Sequence, residues 1–282
     1  MKKIIFIPLI GLGLALFTGC ATSTQQNTKS LSFKSIDLLD KYGVSESALM
    51  KAENGYIFVI PAPNGADIYK LDKNYNLVWK KTTPILLDPI KSQVIGDKLY
   101  ILGYDQKKNK VALLQYDLKG NLIKTSYYGK AYNLARDFAI INGKTYVAVT
   151  EYTPNNNSDI VIYSNDNKKI TLSTPYMDDV KYIKPYKNGI LIIGTTQSDS
   201  ENVIIAYKTL DNKTVWAKII DLGMDEKPIK VSIKNNEIIL DILSTDNMGA
   251  EKDVTFIIDE NGKVKSVKKG IEFKQLPMKY RT

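Results

Sequence analysis

Three observations predict an all-β fold for this 282-residue chain, a β-propeller of about five, or six, four-stranded blades. The first is a recurring small turn ahead of an apolar run. Asn54-Gly55 precedes residues 56–60, Gly96-Asp97 precedes 99–102, and Asn142-Gly143 precedes 146–149. Asn188-Gly189 precedes 190–193 and Asn235-Asn236 precedes 238–240. The second is the period. With Gly55, Gly96, Gly143, Gly189 and Asn236 as markers, the steps are 41, 47, 46 and 47 residues, the span of one propeller blade. The third is the strand count within each step. A single four-stranded sheet cannot bury both faces, but sheets stacked radially can, and their inner strands then read as continuous apolar runs. A β-sandwich would account for the strands and not for the period.

Each marker strand is followed by a second run, a polar turn and a third run. Residues 68–72 turn at 74–76 into Leu77-Val78-Trp79, and 113–117 turn at Lys119-Gly120-Asn121 into Leu122-Ile123. Residues 160–163 turn at 165–167, and 203–207 turn at Asp211-Asn212 into Val215-Trp216. Residues 255–259 turn at Asn261-Gly262 into Val264. Asn-Gly and related pairs between β-branched runs are hairpin signals. A further strand precedes the markers, as in 179–183 and 228–232. A sixth, degenerate blade would draw on residues 32–40 and 271–276, and a strand near 31–33 would close the ring on the last blade.

The runs ending at Trp79 and Trp216 resemble quinoprotein-type (PQQ-like) or WD40-like propeller repeats. Such repeats usually carry Asp, then Thr-Gly, then Trp; here Thr-Gly is missing and two of five copies have the Trp. The resemblance implies the blade shape and no quinone site.

The start of the chain has a different grammar. Met1-Lys2-Lys3 is basic, residues 4–17 carry no charge, and Thr18-Gly19-Cys20 follows. This is the order of a secretory signal, with an apolar run of 14 residues that falls short of the roughly 20 needed to span a bilayer. Leu16-Phe17-Thr18-Gly19-Cys20 resembles a bacterial lipobox, with Phe17 at −3 where Leu is usual. The resemblance implies cleavage after residue 19, a lipid on Cys20, and anchoring in the cell membrane by two or more acyl chains. Ala21, where an Asp would favour retention at an inner membrane, leans towards the outer membrane in a cell that has one. The expected organisation is signal peptide 1–19, lipidated Cys and polar tether 20–38, and propeller 39–282.

Composition narrows the chemistry. The chain has no histidine, which excludes Ser-His-Asp and Cys-His nucleophile systems and His-ligated zinc. Cys20 is the single cysteine, so no disulfide is available. Net charge is +9, but only Arg136 and Arg281 are arginines, and scattered lysine is a solvated surface more often than a nucleic-acid interface. No cofactor, metal or nucleic acid is expected. The expected partners are the membrane, through the anchor, and a protein or cell-envelope polymer, with the domain a monomer.

Two sets of residues recur with the blades. Asp88, Asp137, Asp178 with Asp179, and Asp225 with Glu226 stand ahead of the marker strands. They are candidate channel-mouth carboxylates, able to form a ring for a cation or basic partner, or a pair acting on a glycosidic bond. The plainer reading is that Asp starts turns by accepting backbone N–H groups. Tyr69, Tyr116, Tyr163 and Tyr207 recur on the strand after the marker, as a sugar-stacking surface or, more simply, as packing between blades. The function these features support is a lipid-anchored, non-catalytic binding or scaffold propeller, with a carboxylate-dependent glycan-active enzyme as the alternative.

Overall fold

A computed structural model describes residues 41–154, 157–223, 225–246, 249–268 and 279–281. The chain separates into two compact units, 1–44 and 45–282, and every described strand lies in the second. The lipobox, the tether and the residues expected to close the ring lie outside the described residues.

The second unit is a β-propeller of five four-stranded antiparallel blades, taken by the chain in order. Blade one is β1 (Met50–Ala52), β2 (Gly55–Ala62), β3 (Gly65–Leu71) and β4 (Leu77–Thr82). Blade two is β5 (Leu87–Ile95), β6 (Lys98–Asp105), β7 (Lys110–Asp117) and β8 (Leu122–Tyr128). Blade three is β9 (Leu134–Ile141), β10 (Lys144–Tyr152), β11 (Ser158–Ser164) and β12 (Lys169–Leu172). Blade four is β13 (Met177–Tyr186), β14 (Gly189–Gln197), β15 (Glu201–Thr209) and β16 (Thr214–Asp221). Blade five is β17 (Asp225–Lys234), β18 (Glu237–Thr245), β19 (Glu251–Ile258) and β20 (Val264–Lys268). A short strand β21 (Lys279–Arg281) then returns to pair antiparallel with the outer edge of β16, Ile220 opposite Tyr280.

The first strands of neighbouring blades pack on one another, β5 on β9 and β9 on β13, which places them innermost. The core is divided among the seams. Ile57, Ile68, Leu99, Ile101 and Leu114 fill the seam between blades one and two. Leu102, Leu113, Phe138, Val147 and Val161 fill the next. Ile162, Ile170, Val180, Ile192 and Ile204 join blades three and four. Ile193, Ile205, Leu240, Ile242 and Phe256 join four and five. Among the described residues no such cluster joins blade five to blade one. Three of the four recurring tyrosines belong to the seams, Tyr116 and Tyr207 buried in them and Tyr163 packed against one, whereas Tyr69 stacks on buried Phe58 within blade one.

The turn between third and fourth strands explains why the period is legible. Asp72, Asp117 and Asp259 each accept the backbone N–H groups two and four residues on, at 2.7–2.9 Å. In blades three and four hydroxyls replace the carboxylate, Ser164 accepting from Lys168 at 3.0 Å and Thr209 from Lys213 at 3.1 Å. The fourth residue of all five turns has positive φ: Tyr75, Gly120, Asn167, Asn212 and Gly262. Asn and Gly tolerate that region at least cost.

These turns are also docking points. Trp79, on the last strand of blade one, lies against the Gly120 turn of blade two, where an added Cβ would stand 3.0 Å from its ring. Trp216 does the same one seam before the end. A Cβ at Gly262 would stand 2.7 Å from its ring, and its indole N–H donates to the Glu260 carbonyl at 3.1 Å. The tryptophans therefore tie one blade to the next.

Candidate functional site

The inner strands of blades two to five share a feature that the outer strands of blades one, two, four and five show as well. Each inner strand carries a β-bulge near its start, leaving Ile90, Arg136, Lys181 and Ile229 unpaired opposite the second strand. A bulge re-aims side chains and is common beside functional sites. Ile90 and Ile229 are each nearly half exposed, at 44% and 45%. Aligned on the bulge, the repeated position reads Ile, Arg, Lys, Ile around the inner wall.

The sequence-derived carboxylates all fall on these inner strands and not on the connecting loops, but in different registers. Counted from the bulge, Asp88 and Asp179 stand two residues before it, Asp178 three before, Asp225 four before, and Asp137 one after. Their surroundings differ as much. Asp137 is buried beneath blade two's Lys91, with which it pairs, and accepts the N–H of Phe138 at 2.8 Å and of Ile183 at 3.0 Å. It therefore links blades two, three and four. Asp179 accepts from Lys181 and from the Thr150 hydroxyl, both at 2.5 Å, with the Arg136 guanidinium at 3.7 Å. Burial pushes its carboxyl up, but the Lys181 and Thr150 bonds and the two cations outweigh that and leave it below the usual range. Asp178 is fully buried and accepts from the Thr174 N–H and hydroxyl, both at 2.7 Å. There burial wins and its carboxyl is raised. Asp225 is exposed and accepts the Glu201 N–H at 3.0 Å. Tyr182 extends the chain of contacts to blade five, donating to the Ile229 carbonyl at 2.8 Å.

Asp88 has a different setting. It lines an open cleft of about 420 Å³ between blades two and three, with Ile90, Tyr104, Tyr132, Leu134 and Arg136 around it. Tyr132 is 68% exposed and Leu134 and Ile90 about two-fifths exposed. Tyr152, Tyr176 and Met177 are exposed at the corresponding end of blades three and four. The end of the propeller where the inner strands begin is thus an apolar and aromatic rim with one carboxylate and one guanidinium in its cleft. Beside it Glu151 accepts from Tyr163 and Lys130; burial raises its carboxyl, and these bonds bring it below the usual range. Among the described residues no group of three His, Cys, Asp or Glu could hold a metal ion, and no helix is long and apolar enough to cross a membrane.

Sequence reasoning identified the carboxylates and missed the bulges, Arg136 and the rim aromatics. The bulge residues share no residue type, Ile90 and Ile229 being apolar and Arg136 and Lys181 basic, so the bulges are visible only once the strand partner is read.

Solved structures share the fold. The chain is similar to Kuenenia stuttgartiensis hydrazine synthase, at 12% identity and a TM-score of 0.54, over 77% of this chain and 64% of that one. It is similar to the dihydro-heme d1 dehydrogenase NirN in complex with DHE, at 12% identity and a TM-score of 0.50, over 84% of this chain and 48% of that one. The chain thus spans about half to two thirds of the length of these structures. No protein-family model and no curated protein matches the sequence.

Proposed function

We propose that this chain is a lipid-anchored, cell-envelope β-propeller that binds a protein or envelope polymer at the rim of its inner strands, without catalysis. The observation that carries the reading is the contrast at that rim. The inner carboxylates Asp137, Asp178 and Asp179 are held by lysine, threonine and backbone partners, whereas Ile90, Tyr132 and Leu134 face solvent around a cleft. Solvent-facing apolar groups beside a single charged pair of residues suit recognition of another macromolecule. A glycosidase would need two carboxyl groups about 5 to 9 Å apart and open to the sugar. Asp178 is sealed on Thr174 and Asp137 on Lys91, which favours the binding reading.

A photo-reactive residue at Tyr132 should give a discrete adduct in intact membranes, and Arg136→Glu should remove it. The same group at Ile123, exposed on an outer strand, serves as the reference. Adducts from position 123 with none from 132 would overturn the rim as the binding face. For the anchor, Cys20→Ser should abolish labelling by radioactive palmitate and release a folded domain into the soluble fraction. Persistent labelling would refute it.

A further inference from the structure

Three of the four packed seams are closed at their turn ends, two by a tryptophan and one by hydrogen bonds between strand and turn, and the seam between blades two and three has neither there. Between blades one and two, Trp79 covers the Gly120 turn and Lys81 donates to the Gly120 carbonyl at 2.7 Å. Between blades four and five, Trp216 covers the Gly262 turn. Between blades three and four, the Thr171 N–H donates to the Asn212 side chain at 2.9 Å, and Lys208 reaches the Thr171 carbonyl at 2.5 Å. In each turn-aligned blade this position lies seven residues after the capping Asp, Ser or Thr. In blade two it is Lys124.

The Lys124 ammonium makes no hydrogen bond or ion pair among the described residues, and neither does that of Lys98 beside it. Between them and the Asn165 turn of blade three is a recess of about 90 Å³. Tyr100, Gln115, Ser126 and Thr145 line it as well, and no carboxylate does. The nearby carboxylates are occupied: Asp117 caps its own turn, and Asp166 is bound by Lys144 and Ser164. Asp97, in the neighbouring turn, does not line the recess. The Thr145 hydroxyl is fixed at 2.6 Å from that of Tyr128. The recess therefore offers two ammonium groups without partners, hydroxyls and side-chain amides in a space sized for several waters or one small oxyanion. Lysine ammonium is a compact donor that suits a phosphate oxygen.

We propose that this recess between blades two and three is a binding site for a small oxyanion of the phosphate class, either free or as the phosphate of a larger molecule. Lys98 and Lys124 supply the charge, and Ser126, Gln115 and Asn165 the orienting bonds. The site occupies the place that a tryptophan closes in two other seams.

The test uses the full chain in detergent, unfolded thermally in inorganic phosphate and in chloride at equal ionic strength. Phosphate at about a hundred times its Kd should raise Tm by roughly 5 °C. The rise should vanish in Lys98→Gln/Lys124→Gln and persist in Lys234→Gln/Lys268→Gln, which removes the same charge elsewhere. Lys124→Trp should fold and lose the response, because the ring fills the recess. Glycerol 3-phosphate and phosphatidylglycerol vesicles separate the sources. A response to phosphate alone assigns a free ion. Glycerol 3-phosphate matching phosphate, with flotation on those vesicles lost in Lys98→Gln/Lys124→Gln, assigns a headgroup. Equal responses in the wild type and that double variant, or no response to any of the three, would overturn the site.

Discussion

Blades four and five are built on the same plan and buried to different degrees. In blade four the two middle strands, β14 and β15, are buried along nearly their whole length on both faces. In blade five β18 alternates strictly between buried and half-buried residues, β19 does so from Val254 onward, and the inner strand β17 is mostly exposed. The difference is chemical before it is geometric. Leu102, Ala148 and Ile193 occupy one aligned position on the second strands of blades two, three and four, and all are fully buried. In blade five that position is Asp241, and its cross-strand neighbour, apolar in the other three, is Thr255. The Thr255 hydroxyl donates to Asp241 at 2.6 Å. Asp241 is half-buried, and among the described residues no apolar cluster covers it, so the far side of blade five is not a seam of the kind that joins the others.

The sharpest way to break this comparison is to exchange the residues. Ile193→Asp puts an unpartnered carboxylate into the seam between blades four and five and should destabilise by about 4 kcal/mol or more, read as a fall in the urea midpoint. Asp241→Ile should change stability by less than about 1 kcal/mol, and a large loss there would mean that the far face of blade five is sealed after all. Next in size is Asp137→Ala. It leaves Lys91 and the Ile183 N–H without their acceptor and should cost about 3 kcal/mol, more than any exposed ion pair on blade five, such as Lys265 with Glu237. Trp216→Ala should cost about 2 kcal/mol, since its ring is partly exposed, whereas Ser266→Ala at the matching position of blade five should be neutral within about 0.5 kcal/mol.

The smallest effect is a pH dependence with opposite signs at adjacent residues of β13. Asp179 has a folded-state carboxyl below its ordinary value, so its contribution is present above about pH 4 and is lost as pH falls through the lower folded value. Asp178 is raised, so the native state loses stability as pH climbs from about 4 through the folded value. The advantage of wild type over Asp179→Asn should therefore shrink on acidification, and wild type should gain relative to Asp178→Asn. Denaturant titrations of both variants at pH 7 and below pH 4 give the two slopes.

The blade period was legible because each blade repeats the same turn chemistry. Asn54, Asn142 and Asn235-Asn236 supply positive φ after the first strands, and Tyr75, Gly120, Asn167, Asn212 and Gly262 supply it after the third. Local backbone demands of this kind are written in residue type. The strand β12 escaped notice because blade three has Thr171 where blades one and four have tryptophan, and only Ile170 and Leu172 mark its buried face. The strand β21 has three residues and no local signal; only the free edge of β16 defines it. The carboxylates were recognised by type and by their place ahead of the marker strands, but not as members of the inner strands. Inner strands begin earlier than their apolar runs, so Asp178 and Asp179 sit within β13, three and two residues before its bulge. Which of them is sealed and which is salt-bridged depends on Thr174, Lys181, Thr150 and Arg136, brought together only by the fold.

The return of β21 to blade four gives the molecule a mechanical order of failure. The chain leaves blade five at Lys268 and its last described strand is zipped to β16 by three residue pairs, from Ile219 with Arg281 to Asp221 with Lys279. A load that peels β21 from β16 would be borne by those three pairs before it reached blade five.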